Sequence, residues 1–263
     1  MKLGFCSDLH LDSVSEYGTK LFHAYLNNHE SDVIVIAGDI AEAPVLEKKL
    51  GDLSLAIDKP IYYVNGNHDY YYSSVDEVCN LSNDITNKYD NIFWLQGSGV
   101  IGLTENTAIC GHDGFYDCEY GLFDTDFGLW DFVLISDLKN LSRNGIKKKS
   151  KKLALDCAEH IRNIIPQAAN EYKNIIFVTH VPPFIELSKY NGKTSEPQAL
   201  PFFCSKLAGD ALAEMAEFFP KNNITVLCGH THDKAEYKNG NIHGICASAK
   251  YGKPGIYSTM EVL

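Results

Sequence analysis

Asp8, His10, Asp39, Asn67, His180, His230 and His232 are the side chains of this sequence best suited to holding metal ions. They fall in five short clusters: Asp8-Leu9-His10, Gly38-Asp39, Gly66-Asn67-His68-Asp69, Thr179-His180 and Gly229-His230-Thr231-His232. Carboxylate, amide and imidazole together suit first-row divalent ions rather than Ca²⁺, which prefers oxygen throughout. No cysteine belongs to the clusters, so a closed structural zinc site is a poor fit. Asp8 and His10 are one residue apart, and in extended chain such positions point to the same side. Seven candidate ligands exceed the four of one tetrahedral ion and suit two ions bridged by a carboxylate. Taken singly, each has a plainer use. A histidine at a strand end is commonly a satisfied polar group, Asp39 a turn residue or helix cap, and Asn67 after Gly66 a turn signal. Five such clusters in order are harder to explain that way.

The elements that must position them are legible as apolar runs. Leu3–Cys6, Val33–Ala37, Ile61–Val64, Ile175–Val178 and Ile224–Cys228 each precede one cluster and read as buried strands. Neighbouring strand ends of a sheet can converge on one small volume. Residues 18–29, 44–56 and 73–88 carry helical apolar spacing between the first strands. That alternation favours parallel β-α-β units with the site at the strands' carboxyl ends. Further strands are expected at 92–95, 99–103, 107–111, 234–238, 242–246 and 256–262, and helices at 147–171 and 206–219. Pro166 is expected to kink or interrupt the longer helix.

The 263 residues, 45% of them hydrophobic, can bury a sizeable core as one domain. No repeat or low-complexity linker divides it. The net charge of -11 argues against affinity for nucleic acid or acidic membrane resting on overall charge. The basic run Arg143–Lys152 is read as a solvated loop leading into a helix. With only two arginines, Arg143 and Arg162, an anionic substrate must be held by metal, lysine or backbone N–H. No signal peptide is expected, and no apolar run nears the 18 or so residues of a membrane span. Eight cysteines without a C-x-x-C pair suggest a reduced, cytoplasmic protein.

Asp8-x-His10, Gly38-Asp39, Gly66-Asn67-His68-Asp69, His180 and Gly229-His230-Thr231-His232 together resemble the signature of the calcineurin-like metallophosphoesterase superfamily. The resemblance spans residues 8 to 232. It implies a four-layer α/β/β/α sandwich of two mixed sheets and a dinuclear centre of Mn, Fe or Zn. Carried over residue by residue, Asp8, His10, Asp39 and His232 bind one ion, and Asp39 bridges to a second completed by Asn67, His180 and His230. A hydroxide between the ions is then the nucleophile, and His68 is the catalytic histidine assisting the leaving group.

Two departures bear on the substrate. Phosphoprotein phosphatases of the superfamily continue Gly-Asp into Asp-Arg-Gly, whereas this chain reads Gly38-Asp39-Ile40-Ala41-Glu42-Ala43-Pro44. Glu42 stands where an aspartate usually pairs with the catalytic histidine, and the arginine is missing. A small phosphate monoester or diester is therefore expected in place of a phosphoprotein. Asp69 is a second candidate to orient His68, or a buried hydrogen-bonding group behind it. The stretch Cys110–Asp117 ends a strand as the metal clusters do, making His112 and Tyr116 candidate substrate contacts. With the aromatics that follow, it is read as a lid or substrate wall over about 112–150, the alternative being core packing. Two other readings stay open: a non-catalytic metal-binding scaffold of the same fold, and a nuclease.

Overall fold

A computed structural model describes residues 1–263. The first third alternates strand and helix: β1 (Lys2–Cys6), α1 (Glu16–Asn28), β2 (Val33–Ala37), α2 (Ala43–Ala56), β3 (Ile61–Val64), α3 (Val75–Lys88), β4 (Ile92–Trp94) and a single turn, α4 (Leu95–Ser98). Then come β5 (Ile101–Gly102), β6 (Thr107–Gly111), the turn α5 (Asp131–Leu134), the long α6 (Arg143–Glu171) and β7 (Asn174–Val178). A hairpin of β8 (Lys189–Tyr190) and β9 (Lys193–Thr194) leads to α7 (Leu200–Phe203), α8 (Lys206–Phe218) and β10 (Asn223–Cys228). The chain closes with β11 (Ala235–Asn239), β12 (Ile242–Cys246) and β13 (Ser258–Glu261).

These strands build two large mixed sheets, ordered β13-β1-β2-β3-β4 and β11-β12-β10-β7-β6-β5. The alternation of side chains along each strand fixes what each sheet face meets. Leu3, Phe5, Val33, Val35 and Val64 of the first sheet pack against Ile109, Ile176, Val178 and Leu227 of the second, forming the core between them. The intervening Ile34, Ile36, Ile61 and Tyr63 face outward onto Phe22 and Leu26 of α1, Leu46 and Leu50 of α2, and Val78 and Ile85 of α3. On the far side, Ile175, Phe177, Ile224 and Val226 meet Ala158, Ile161 and Ile165 of α6 and Ala211, Leu212 and Met215 of α8. Helices, sheet, sheet and helices make the expected four layers. β1, β2, β3, β6, β7 and β10 are nearly all-apolar because both their faces are covered. β13 pairs antiparallel with β1, so the chain's last strand completes its first sheet.

Two expectations are corrected. The basic run is not a loop: α6 begins at Arg143, where the Ser142 side chain accepts the Gly145 N–H. Arg143 also turns inward, donating to the carbonyls of Phe123 (Nη2, 2.7 Å) and Phe127 (Nη1, 2.6 Å), with its guanidinium over the Phe123 ring. Second, Pro166 does not interrupt α6, which runs to Glu171 with Ile164, Ile165 and Ala168 buried around the proline. The segment from 112 onward packs Phe115, Tyr116, Cys118 and Phe123 into the core outside the first sheet. Its Leu122, Trp130 and Val133 remain exposed.

Candidate metal centre

All five clusters stand at the carboxyl ends of adjacent parallel strands, β1, β2 and β3 in one sheet and β7 and β10 in the other. The chain must turn sharply there to aim each side chain inward. Asp8 (φ 53°), His10 (42°), Asp39 (52°), His230 (72°) and His232 (59°) all adopt left-handed backbone. Each such residue costs on the order of 1 kcal/mol, and strain of this kind gathers where function requires it. Aspartate and histidine are among the types that tolerate the conformation. Glycine is needed beside them for space. A Cβ on Gly229 would collide with Ser7 and the Asp8 carboxylate, and one on Gly38 with the His180 ring.

The candidate donor atoms form two groups that share Asp39. In one, Asp8, His10, Asp39 and His232 each bring a donor atom within 4.8 Å of the others; in the second, Asp39, His180 and His230 do the same. His10 Nε2 lies 3.3 Å from His232 Nε2, and His232 Nε2 lies 3.3 Å from Asp8 Oδ1. His180 Nε2 is 3.3 Å from Asp39 Oδ1 and 3.1 Å from Asn67 Oδ1, which adds the amide to the second group. The histidines are oriented from behind. His180 Nδ1–H donates to the Ala37 carbonyl (2.7 Å) and His230 Nε2–H to the Phe202 carbonyl (2.9 Å), leaving the other ring nitrogen of each for the centre. The Asn67 amide is fixed by Nδ2–H donating to Asp131 Oδ1 at 3.0 Å.

The electrostatics call for positive charge. Asp8, Asp39, His180 and His230 are almost wholly buried. Burial works against ionisation of Asp39, yet the charges of His180 and His68 outweigh it and hold its carboxyl well below the usual range. Burial also opposes a charge on His180, but Asp39 and Asp8 push that imidazole up to about 10. His230 is driven down to about 4 by burial and by the charge of His180. Asp8 and Asp39 are thus held ionised by the imidazoles around them. Oxygen and imidazole donors without a thiolate fit first-row divalent ions.

His68 stands next to this centre without joining either group. Its ring meets His10 edge-on (4.7 Å between centroids), stacks on Tyr71 (4.3 Å), and lies with Nε2 3.9 Å from Asp39 Oδ2. Its side chain is 24% exposed, against 1–2% for His10, His180 and Asp39, so it can reach a bound molecule. Glu42, half-buried, makes no hydrogen bond to His68, although their charges interact. Asp69 is fully buried and accepts backbone N–H groups from Ile40 (2.8 Å), Ala41 (2.8 Å) and Gly66 (2.7 Å), bracing the turns that carry Asp39 and Asn67. His112 faces His160 of α6, and its Nδ1 accepts the Gly114 N–H at 3.0 Å. Tyr116 has no exposed surface; its hydroxyl donates to Asp131 Oδ2 at 3.0 Å, behind Asn67.

Three residues around the centre escaped the sequence reading. Asp131 gathers Asn67, Tyr71 and Tyr116. Asp113 accepts from Asn65 N–H (2.7 Å), Tyr70 O–H (2.9 Å) and Trp94 Nε1–H (2.8 Å), while its own carbonyl accepts the His180 N–H (3.0 Å). It thereby ties the loop after β3 to the loop after β7. Tyr251 stacks on His10 (4.3 Å, 27°) and lies 4.9 Å from the His232 ring. Asp113 carried a signal, since Gly111-His112-Asp113-Gly114 follows a strand as the ligand clusters do. Tyr251 carried none.

The chain belongs to the calcineurin-like phosphoesterase family, whose model matches residues 1–234. Members of the family normally bind divalent metals. The chain is 24% identical over 253 residues to an uncharacterised protein, L509, of Acanthamoeba polyphaga mimivirus, covering 89% of this chain and 86% of that one. Its fold is similar to that of phosphopantetheinyl hydrolase from Mycobacterium tuberculosis (TM-score 0.66, 14% identity, 96% of this chain and 90% of that one). It is also similar to GAP50, the anchor in the inner membrane complex of Plasmodium (TM-score 0.51, 13% identity, 94% and 71%). No helix is long and apolar enough to cross a membrane.

Proposed function

We propose that the protein hydrolyses small phosphate monoesters or diesters at a dinuclear centre. Asp8, His10, Asp39 and His232 would hold one divalent ion, and Asp39, Asn67, His180 and His230 the second, with Mn, Fe or Zn as candidates. The observation that carries this reading is the pair of donor groups sharing Asp39. Ions held by these residues would supply Lewis acidity toward phosphoryl oxygens and lower the pKa of bound water. The chain's own part is to hold Asp39 between the groups, to fix each imidazole through a backbone carbonyl, and to place His68 where it can give a proton to the departing oxygen. Tyr71 stacked beneath that ring keeps it facing the centre.

Small substrates are supported by charge. The net charge is -11, and the lysines of the basic run are partly engaged, Lys149 with Asp137 and Lys151 with Glu119. A phosphodiester polymer has no basic channel to follow. A scaffold that only bound metal would have no use for a partly open His68 beside the donor groups.

The test is to strip the protein with chelator and reload it separately with Mn²⁺, Zn²⁺ and Fe²⁺. Elemental analysis should give two ions per chain, and a panel of mono- and diesters should show turnover that depends on the ion. One ion at saturation would refute the dinuclear centre; no turnover of any ester with any ion would refute the hydrolase.

A further inference from the structure

Beside the centre lies a cavity of about 340 Å³ that the metal ligands do not account for. Phe127, Tyr190 and Phe203 give it aromatic walls, Lys189 and Glu196 contribute opposite charges, and Thr231 forms part of its floor. It adjoins the second donor group. Thr231 lies between His230 and His232 in the chain, and the Phe203 ring is 4.8 Å from the His230 ring.

The walls are held in place. Gly192 N–H, at the tip of the β8–β9 hairpin, donates to Asp233 Oδ2 (2.9 Å), which ties the hairpin to the residue after His232. Ser188 and Ser195 share a hydrogen bond of 2.9 Å between their buried hydroxyls at its base. The Phe127 carbonyl is gripped by Arg143. Tyr190, by contrast, is 65% exposed, a large aromatic left open over the cavity.

We propose that this cavity receives the organic group of the phosphoester, and that this group is a neutral aromatic of about one ring system. The inference rests on the phosphoesterase reading above. Small-molecule clefts run from about 300 to 1,000 Å³, so the cavity accommodates a compact group and not a polymer. One lysine opposed by one glutamate leaves the lining without net charge, which disfavours a second phosphate or a carboxylate. Three aromatic side chains favour stacking and edge contacts with a ring.

The experiment uses the metal-loaded protein and two non-hydrolysable probes, phenylphosphonate and methylphosphonate, compared by calorimetry. The phenyl compound should bind about tenfold more tightly, a difference of about 1.4 kcal/mol. Tyr190→Ala should cut that advantage to about threefold or less, Tyr190→Phe should keep it, and methylphosphonate affinity should stay unchanged in both. Equal affinity for the two probes, or a phenyl advantage indifferent to Tyr190→Ala and Phe127→Ala, would overturn the subsite. Benzyl and ethyl phosphate, whose leaving groups have similar basicity, separate the two readings. Phosphonate discrimination without hydrolysis of these esters, or of any other mono- or diester with any ion, supports the subsite and refutes the hydrolase. Hydrolysis of both with no benzyl advantage in KM supports the hydrolase and refutes the subsite.

Discussion

His68 is set apart from its neighbours by what it lacks. His180 and His230 each have a backbone carbonyl behind them, whereas no hydrogen bond fixes the His68 ring, which packs between Tyr71 and His10 and remains partly open. A ring so placed is free to exchange a proton with a bound ester. His68→Ala should therefore lower kcat by about 10²–10⁴-fold, while elemental analysis finds the metal content of the wild type. Loss of metal would make His68 a ligand, and full activity would remove it from the chemistry. His112 illustrates the opposite case. Burial, with His160 adding to it, pushes this imidazole down to about 3. An unfolded histidine titrates near 6.5. Between pH ~6.5 and ~3 the unfolded chain binds a proton that the folded chain refuses, so stability falls as pH falls through that window. His112→Asn keeps an acceptor for the Gly114 N–H. Urea unfolding of the variant across this range should lose up to about one proton's worth of pH slope relative to wild type. An unchanged slope would mean that His112 is not held neutral.

At the scale of elements, the strands and the turns after them were legible because both signals are local. An apolar run such as Val33–Ala37 followed by Gly38-Asp39 names strand and ligand within seven residues. The α6 start was misplaced because charge suggested solvent, whereas Arg143 spends its donors on Phe123 and Phe127 twenty and sixteen residues upstream. Asp131 and Tyr251 were unreadable for the same reason: their partners, Asn67 and His10, are remote in the chain. The β8–β9 hairpin is two residues per strand, too short to show periodicity. These long-range ties make a prediction about the aromatic segment. Arg143→Ala would take the guanidinium donors from the carbonyls of Phe127 and of Phe123, which keeps only the Thr125 N–H, and remove a cation from three rings. From such losses, destabilisation of roughly 2–4 kcal/mol follows. Hydrogen exchange should show the opening concentrated between residues 119 and 137. A uniform change, or none, would show that the segment is held by its apolar side chains alone.

The whole molecule is two sheets closed around a shared seam, and the donor groups lie across it. Asp8, His10, Asp39 and Asn67 come from turns of the first sheet, and His180, His230 and His232 from turns of the second. An ion in either group therefore joins the two halves of the fold, and removing it leaves Asp8 and Asp39 buried with histidines as their only counterweight. Metal should stabilise the entire domain by linkage, about 2.7 kcal/mol for each ion at a hundredfold excess over its Kd. For a chain of this size each kcal/mol shifts Tm by about 2–4 °C, so a rise of roughly 5–11 °C for each ion bound is expected on adding Mn²⁺ or Zn²⁺ to chelated protein. The rise should continue with the logarithm of free metal rather than stop at a fixed stoichiometry. Asp39→Asn, which removes the residue common to both groups, should flatten that dependence while the variant still unfolds cooperatively. If calorimetry shows the ions binding and Tm does not move, the centre does not couple the sheets, and the strained turns must be held entirely by Asp69, Asp113 and the packing beneath them.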